Sequence, residues 1–246
     1  MRRTTDVMGM PVTVDVRDPG AATAALDEVY ADLAWVDSAF STYQPGSAIS
    51  RINDGTLSIE RSDPIVRDVL ELCNRYERET DGYFSAWREG RLDPSGLVKG
   101  WAIQRAAAIL DTHGYADYFV DAAGDVRTRG HAGPNSPWRV GIRHPVERDK
   151  VVRVILATDL AVATSGTYEK GAHIFDPHTG APATDLLSLT IVGPDIVTAD
   201  VLATAAFAMG LAGLTFVESR EGYEAYAIDP QLRGHWTTGF DRYCER

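Results

Sequence analysis

The stretch VVRVILATDLAVATSG, residues 151–166, decides the fold class. It contains two short runs of apolar and β-branched residues in immediate succession, which is typical of consecutive β-strands. Similar strand patterns precede and follow it along the chain. They are PVTVDVR at 11–17, DYFVDA at 117–122, WRVGIRH at 138–144, LLSLTIVG at 186–193, YEAYAID at 223–229 and HWTTGF at 235–240. Several of these runs are spaced for hairpins, so the later part of the chain is predicted to be a sheet.

Helical periodicity predominates in the first half. Apolar residues at three- and four-residue steps, a Ser-Asp-Pro cap at residue 62 and closing glycines mark the helices. They are predicted at about 21–40, 62–79, 99–114, 199–209 and 214–220, and the segment 41–53 is predicted to be a loop. Helices early and strands late favour an α+β fold, with a mixed, largely antiparallel sheet core and flanking helices. Without repeats or a linker, residues 1–246 are predicted to form one domain.

Composition excludes several function classes. The 246 residues include 24 Lys and Arg against 35 Asp and Glu, a net charge of −11, which argues against a nucleic-acid or anionic-membrane surface. No apolar run is long enough to span a membrane and no signal-peptide pattern follows the first residues, so a cytoplasmic protein is expected. The two cysteines, Cys73 and Cys244, lie too far apart in sequence for a CxxC zinc motif.

Common catalytic motifs are absent. The sequence contains no GxGxxG, no GxxxxGK[ST], no HExxH and no GxSxG. A dinucleotide-binding Rossmann domain, a P-loop enzyme, a zinc protease and an esterase of the Ser-His-Asp type are therefore not predicted.

Two local patterns suit a phosphate or a metal, although each has a plain structural explanation. DPSG at 93–96 is a glycine-bearing turn ahead of a helix, which can bind phosphate or simply start the helix. Asp200 and Thr204 stand four residues apart on one helix face, where their oxygens suit Mg²⁺ or Ca²⁺. An aspartate in a first helical turn is also favoured by the helix dipole alone. His173 lies at the end of a predicted strand and could equally be a core histidine.

Six segments in order resemble a known family almost from end to end. They are VMGMPVTV at 7–14, FSTYQPGSAISRIN at 40–53, DPSGLVKGWAIQRAAAIL at 93–110, VDAAGDVRTRG at 120–130 with PWRVGIRHP at 137–145, ATSGTYEKGAHIFDPHTGAP at 163–182, and TADVLATAAFAMG at 198–210. These segments resemble the sequence motifs of the ApbE family of FAD:protein FMN transferases. The resemblance implies a T-fold-related α+β architecture.

The resemblance also implies a chemistry and a set of residues. Such enzymes use Mg²⁺ and FAD, attach FMN to a Ser or Thr hydroxyl of an acceptor flavoprotein, and release AMP. Residues on the family's FAD-contacting positions are Met8, Tyr43, Asp93, Lys99 and Phe175. The Mg²⁺ positions fall on the main-chain carbonyl of Gly96 and on Asp200 and Thr204. His173 is the expected base or phosphate contact, with Asp176 as a neighbouring residue that orients it.

Two departures from the family leave alternatives open. The stretch DGYFSAWREGRL at 81–92 is shorter than in many members, which suggests a more open pocket. Ala203 stands where some members carry a further carboxylate, which suggests weaker metal binding. The alternatives are an FAD pyrophosphatase that yields FMN and AMP, and a non-catalytic FAD-binding protein.

Overall fold

The structure is a computed structural model that describes residues 1–147, 149–167 and 174–245. Its strands in these ranges are β1 Arg2–Val7, β2 Met10–Val16, β3 Trp87–Arg88, β4 Arg91–Leu92, β5 Tyr118–Ala122, β6 Asp125–Arg129, β7 Trp138–Arg143, β8 Val151–Ala157, β9 Ala161–Gly166, β10 Ser188–Gly193, β11 Glu224–Ile228 and β12 Gly234–Trp236. Eight of them form one sheet in the order β1-β2-β5-β6-β9-β10-β11-β12, and each neighbouring pair is antiparallel. Two separate hairpins pair β3 with β4 and β7 with β8.

Helices cover one face of this sheet. In the described ranges they are α1 Thr23–Phe40, α2 Ala48–Asn53, α3 Pro64–Glu79, α4 Ser95–Thr112, α5 Ile196–Ala208 and α6 Ala212–Glu218. The large hydrophobic core lies between α1, α4, α5 and the sheet. The predicted α+β fold with a largely antiparallel sheet is confirmed.

The β7–β8 hairpin covers the opposite face. Because side chains alternate along a strand, Tyr118 and Val120 of β5 point to the helices and Phe119 points to the hairpin. Phe119 packs edge-to-face on Trp138, with 5.2 Å between the ring centroids. The sheet is therefore the middle of three layers.

One end of the sheet gathers several of the segments singled out in the sequence. Two tight hairpin turns lie at this end, and the two central residues of each have positive φ. They are Met8 (57°) and Gly9 (72°) between β1 and β2, and Ala123 (51°) and Gly124 (96°) between β5 and β6. The N–H of Ala123 donates to the carbonyl of Pro11, so the two turns are neighbours. The N-terminal part of α4 and the C-terminal half of β9 lie at this same end, because Lys99 is 2.7 Å from the Asp125 carboxylate at the start of β6 and the N–H of Thr164 donates to the same carboxylate.

The predicted start of α4 was four residues too late. The helix begins at Ser95, so Ser95 and Gly96 of DPSG belong to its first turn and Pro94 is its N-cap. Pro94 has a φ of −82°, which already suits a helix start, and Asp93 Oδ1 accepts the N–H of Ser95. Helix α5 likewise begins at Ile196 rather than 199, because Asp195 caps it by accepting the N–H of Thr198.

Two other segments differ from their predictions. The last six residues of the predicted loop 41–53 form α2, whose cap is the hydroxyl of Ser47 accepting the N–H of Ser50. Strand β12 ends at Trp236, and Phe240–Tyr243 form a 3-10 turn instead of continuing the strand. No helix in the described ranges is both long and apolar enough to cross a lipid bilayer.

Candidate active site

The candidate site forms where α4 crosses α5. The two helices run antiparallel, so that Gly96 faces Thr204 and, one turn further on, Gly100 faces Asp200. A Cβ placed on Gly100 would lie only 2.8 Å from the carbonyl oxygen of Ile196. Glycine at this position therefore permits the close approach of the two helices, and this approach brings the predicted residues together.

A buried ion-pair cluster lies beside this crossing. Lys99 Nζ is 2.7 Å from Asp125 Oδ2 and 3.6 Å from Asp200 Oδ1. Asp200 is 3% exposed and Asp125 is 1% exposed. Asp200 also accepts the main-chain N–H of Gly100 through Oδ2 at 2.8 Å. Lys99 and Asp200, which the resemblance assigns to the FAD contacts and to the Mg²⁺ site, thus lie side by side.

Asp125 is the member of the cluster that sequence reasoning missed. It is the first residue of β6, and its Oδ1 accepts the N–H of Thr164 at 2.9 Å. Apart from the Lys99 ammonium, its buried Oδ2 has no hydrogen-bond partner among the described residues. The available signal was the position of Asp125 in VDAAGDVRTRG, directly after the Ala-Gly turn at the start of a strand, but no role was assigned to it.

The cluster carries more negative than positive charge. Burial, together with the neighbouring Asp125 carboxylate, raises the pKa of Asp200 to about 7 against the opposing effect of the Lys99 ammonium and the Gly100 N–H. Above that pH, two buried carboxylates share the Lys99 ammonium. A bound cation would relieve this imbalance.

The donors assigned to Mg²⁺ by resemblance fit that ion in their chemistry. Asp200, Thr204 and the carbonyl of Gly96 offer oxygen atoms, which Mg²⁺ prefers. A Cβ at Gly96 would stand 3.3 Å from the Phe84 ring and 3.6 Å from Thr204 Oγ1, so the glycine lets both side chains approach the first turn of α4 closely. Among the described residues no three His, Cys, Asp or Glu side chains converge as a metal cluster. An ion held here would therefore keep waters or substrate phosphate oxygens in its shell.

Ala203 occupies the position of the additional carboxylate found in some relatives. It is 0% exposed and lies in a helix whose side chains are almost all buried. The methyl group thus contributes to the packing of α5, and the site relies on Asp200 and Thr204 for its side-chain oxygens.

The predicted FAD contacts Met8, Tyr43 and Asp93 lie on turns and loops between the helices and strands. Met8 is half-buried at the β1–β2 turn and packs against the core. Tyr43 is 91% exposed in the loop before α2. Asp93 follows β4 and is exposed. One of its carboxylate oxygens accepts a hydrogen bond from the N–H of Ser95.

The segment around Phe175 and Asp176 forms a tight turn. Asp176 accepts the N–H of His178 at 2.9 Å and the hydroxyl of Thr179 at 3.0 Å. The hydrogen bond from the His178 N–H holds the pKa of Asp176 below its usual value. Its carboxylate thus stabilises the turn, and its predicted role toward His173 stays a prediction, because His173 lies outside the described residues.

The shortened segment 81–92 closes over this turn. The rings of Tyr83 and His178 meet at 4.5 Å between centroids, and Arg88 Cζ lies 3.4 Å from the centroid of the Phe175 ring. The segment thus contacts the turn that carries Phe175 through both Tyr83 and Arg88, and a more open pocket stays a prediction.

A cavity of about 210 Å³ lies on the other face of the sheet, beneath β7. Its lining includes Phe119, Asp121, Trp138 and Thr164. Since Thr164 donates its N–H to Asp125, the cavity and the cluster adjoin through this pair.

Comparison with family models gives a match along most of the chain. The model described as "ApbE family" matches residues 8–87 and 85–227. Among curated proteins, a FAD:protein FMN transferase of Vibrio cholerae is 32% identical over 158 residues, which are 55% of this chain and 47% of that protein. One from Salmonella typhimurium is 30% identical over 156 residues, 59% of this chain and 45% of that protein. The chain spans about half the length of these relatives.

Solved structures share the fold. The ApbE protein of Thermotoga maritima matches with a TM-score of 0.88 at 23% identity, over 100% of this chain and 99% of that chain. The flavin transferase ApbE of Vibrio cholerae matches with a TM-score of 0.84 at 23% identity, over 99% of this chain and 98% of that chain.

Proposed function

The chain belongs to the ApbE family, and on this premise we propose that it is a Mg²⁺-dependent FAD:protein FMN transferase. The observation that carries the proposal is the Lys99–Asp125–Asp200 cluster at the crossing of α4 and α5, with Gly96 and Thr204 beside it. Curated relatives that share about half their length with this chain bear the same activity in their names.

The reaction is a phosphoryl transfer. The oxygen of an acceptor Ser or Thr hydroxyl bonds to the phosphorus of the FMN phosphate, and the bond from that phosphorus to the bridging oxygen breaks. AMP leaves with the bridging oxygen, and the hydroxyl proton passes to a base, for which we propose the ring of His173. Bound Mg²⁺ supplies charge neutralisation of the pyrophosphate.

The residues of the cluster have separable roles in this proposal. Asp200, Thr204 and the Gly96 carbonyl would hold the metal ion. Lys99 would contact the phosphates, and Asp125 keeps the Lys99 ammonium beside the site through their 2.7 Å ion pair. Because Lys99 is 24% exposed at its side chain, it can reach a ligand while still paired.

The test uses the purified chain, FAD, Mg²⁺ and a candidate acceptor flavoprotein, with a second acceptor in which the target Ser or Thr is Ala. Flavin fluorescence on the denatured acceptor measures transfer, and chromatography measures FMN and AMP. We expect covalent flavin on the first acceptor alone, loss with EDTA, and loss in Asp200→Ala and Thr204→Ala. Free FMN and AMP without any acceptor would instead support the pyrophosphatase. Bound but unchanged FAD under every condition would support the binding protein.

A further inference from the structure

Two arginines oppose each other on the β3–β4 hairpin. Arg88 and Arg91 are direct partners in this antiparallel pair, on either side of the two-residue turn Glu89-Gly90, whose φ values are 50° and 76°. Directly opposed side chains lie on the same face of a hairpin, and like charges in this arrangement destabilise it. The hairpin is short, so the pairing needs a compensating contact.

Neighbouring acidic side chains do not supply this compensation. Within the described part of the chain, neither Arg88 nor Arg91 forms an ion pair with a carboxylate, although the protein has 35 acidic residues against 24 basic ones. Arg88 instead lies flat over the ring of Phe175, with Cζ 3.4 Å from its centroid. A stacked guanidinium keeps the N–H groups on its edge available, and this edge matches the geometry of a phosphate.

The fold fixes the position of the pair. Asn53 donates to the carbonyl of Leu92 at 2.8 Å and accepts its N–H at 2.7 Å, which ties β4 to α2. Leu92 is 1% exposed, whereas both arginines are exposed. Leu92 and its hydrogen bonds to Asn53 thus hold the hairpin in place. The face that carries the two arginines is the one that contacts Phe175, through Arg88.

We propose that Arg88 and Arg91 form an anion-binding site for the phosphate groups of the dinucleotide substrate. This inference rests on the proposed function. Asp93 directly follows the hairpin and Phe175 contacts it, and both are assigned to FAD only by resemblance. An anion bound between the two guanidinium groups would offset the repulsion between these directly paired arginines. It would also explain why neither forms an ion pair with a carboxylate among the described residues. It also gives the shortened segment 81–92 a role in binding.

Equilibrium binding tests this proposal without turnover. Flavin fluorescence measures the affinity of the full chain for FAD and for riboflavin, which has the same ring system without phosphate, and inorganic pyrophosphate serves as a competitor. The variants are Arg88→Gln, Arg91→Gln and the double variant. Arg61→Gln, an exposed arginine on another surface, is the matched control.

We expect each single variant to bind FAD about tenfold or more weakly, because a charge-assisted hydrogen bond is lost. Riboflavin affinity should be unchanged, and pyrophosphate should compete less well with FAD. Without ligand, the urea midpoint of Arg91→Gln should equal or exceed that of the wild type, because a repulsion is removed. Equal losses for FAD and riboflavin, or unchanged FAD binding in the double variant, would overturn the proposal. If the wild type binds no FAD, the proposed function fails instead, and pyrophosphate binding measured directly by calorimetry still tests the arginine pair.

Discussion

The main-chain N–H of Gly100 donates a hydrogen bond to Asp200 Oδ2 at 2.8 Å, across the crossing of α4 and α5. This contact exists because a glycine allows the two helix backbones to meet. A Cβ at residue 100 would lie 2.8 Å from Ile196 O, 2.9 Å from Asp200 Cβ and 3.1 Å from Val197 Cα. Since two of these atoms belong to the backbone, they cannot yield by a rotamer change.

Gly100→Ala is therefore expected to destabilise the protein by about 1–3 kcal/mol, as overpacked cores do. It should also displace Asp200 from the site and weaken Mg²⁺ binding. Urea unfolding measures the first effect, and calorimetry with Mg²⁺ measures the second. Gly133→Ala is the matched control, because a Cβ there meets nothing within 4 Å. Equal urea midpoints for the two variants would contradict the close approach of the helices.

Acid stability should depend on Asp229, which follows the last residue of β11. Its buried carboxylate receives hydrogen bonds from His235 at 2.9 Å and from the Arg233 guanidinium at 2.7 Å. Burial would raise the pKa of Asp229, but these hydrogen bonds and the Arg233 main-chain N–H outweigh it and hold the pKa well below its usual range. A depressed folded-state pKa stabilises the protein above the unfolded-state pKa, roughly 4, and this stabilisation fades as the pH falls through the folded-state value.

Asp229→Asn should therefore lower the urea midpoint at pH 6 and lower it less at pH 3. Asp68→Asn, at an exposed position of α3, serves as the control and should show no comparable difference. A deficit of Asp229→Asn that grew toward pH 3 would show that the carboxylate acts with the opposite sign.

Much of the fold followed from sequence periodicity, because a strand or helix with one buried face repeats its pattern. The strand β1 escaped prediction, since the polar edge sequence RRTTDV carries no such repeat. The helix α2 escaped because Pro45 and Gly46 before it indicated a loop, while the decisive signal was a single serine cap.

The arrangement of the candidate site could be predicted from the sequence only in part. Spacing brought Asp200 and Thr204 to one helix face, but only the tertiary crossing brings them to Gly96 and Lys99. Asp125 comes from a strand that is adjacent in space and distant in sequence, so no spacing rule could join it to Lys99. The arginine pair on β3–β4 required the hairpin register, which the sequence did not specify.

Tyr43 offers a way to separate binding from stability. Its side chain is 91% exposed, so the folded protein gains little from it. Tyr43→Ala should leave the free energy of unfolding within about 0.5 kcal/mol of wild type. If the ring packs on FAD, the same variant should bind FAD roughly three- to tenfold more weakly, the usual range for an aromatic contact.

Tyr43→Phe is the control for this prediction, because it keeps the ring and removes only the hydroxyl. Fluorescence titration with FAD and urea unfolding give the two measurements. FAD affinity that is equal in the Ala and Phe variants and in the wild type would remove Tyr43 from the binding site.

Asp125 is expected to be essential because it pairs with Lys99 in a buried setting. Asp125→Asn keeps the shape and can still accept the N–H of Thr164, but it removes the negative charge that lies 2.7 Å from the Lys99 ammonium. Breaking a buried pair costs about 3 kcal/mol, whereas an exposed pair contributes less than about 1 kcal/mol. The matched control is Asp27→Asn, since Asp27 pairs with Arg3 on the surface and its side chain is 62% exposed. We expect a lower urea midpoint and a loss of FAD affinity in Asp125→Asn alone. Equal urea midpoints and equal FAD affinities in the two variants would show that Asp125 does not position Lys99. The proposed contact between Lys99 and the phosphates would then lose this argument.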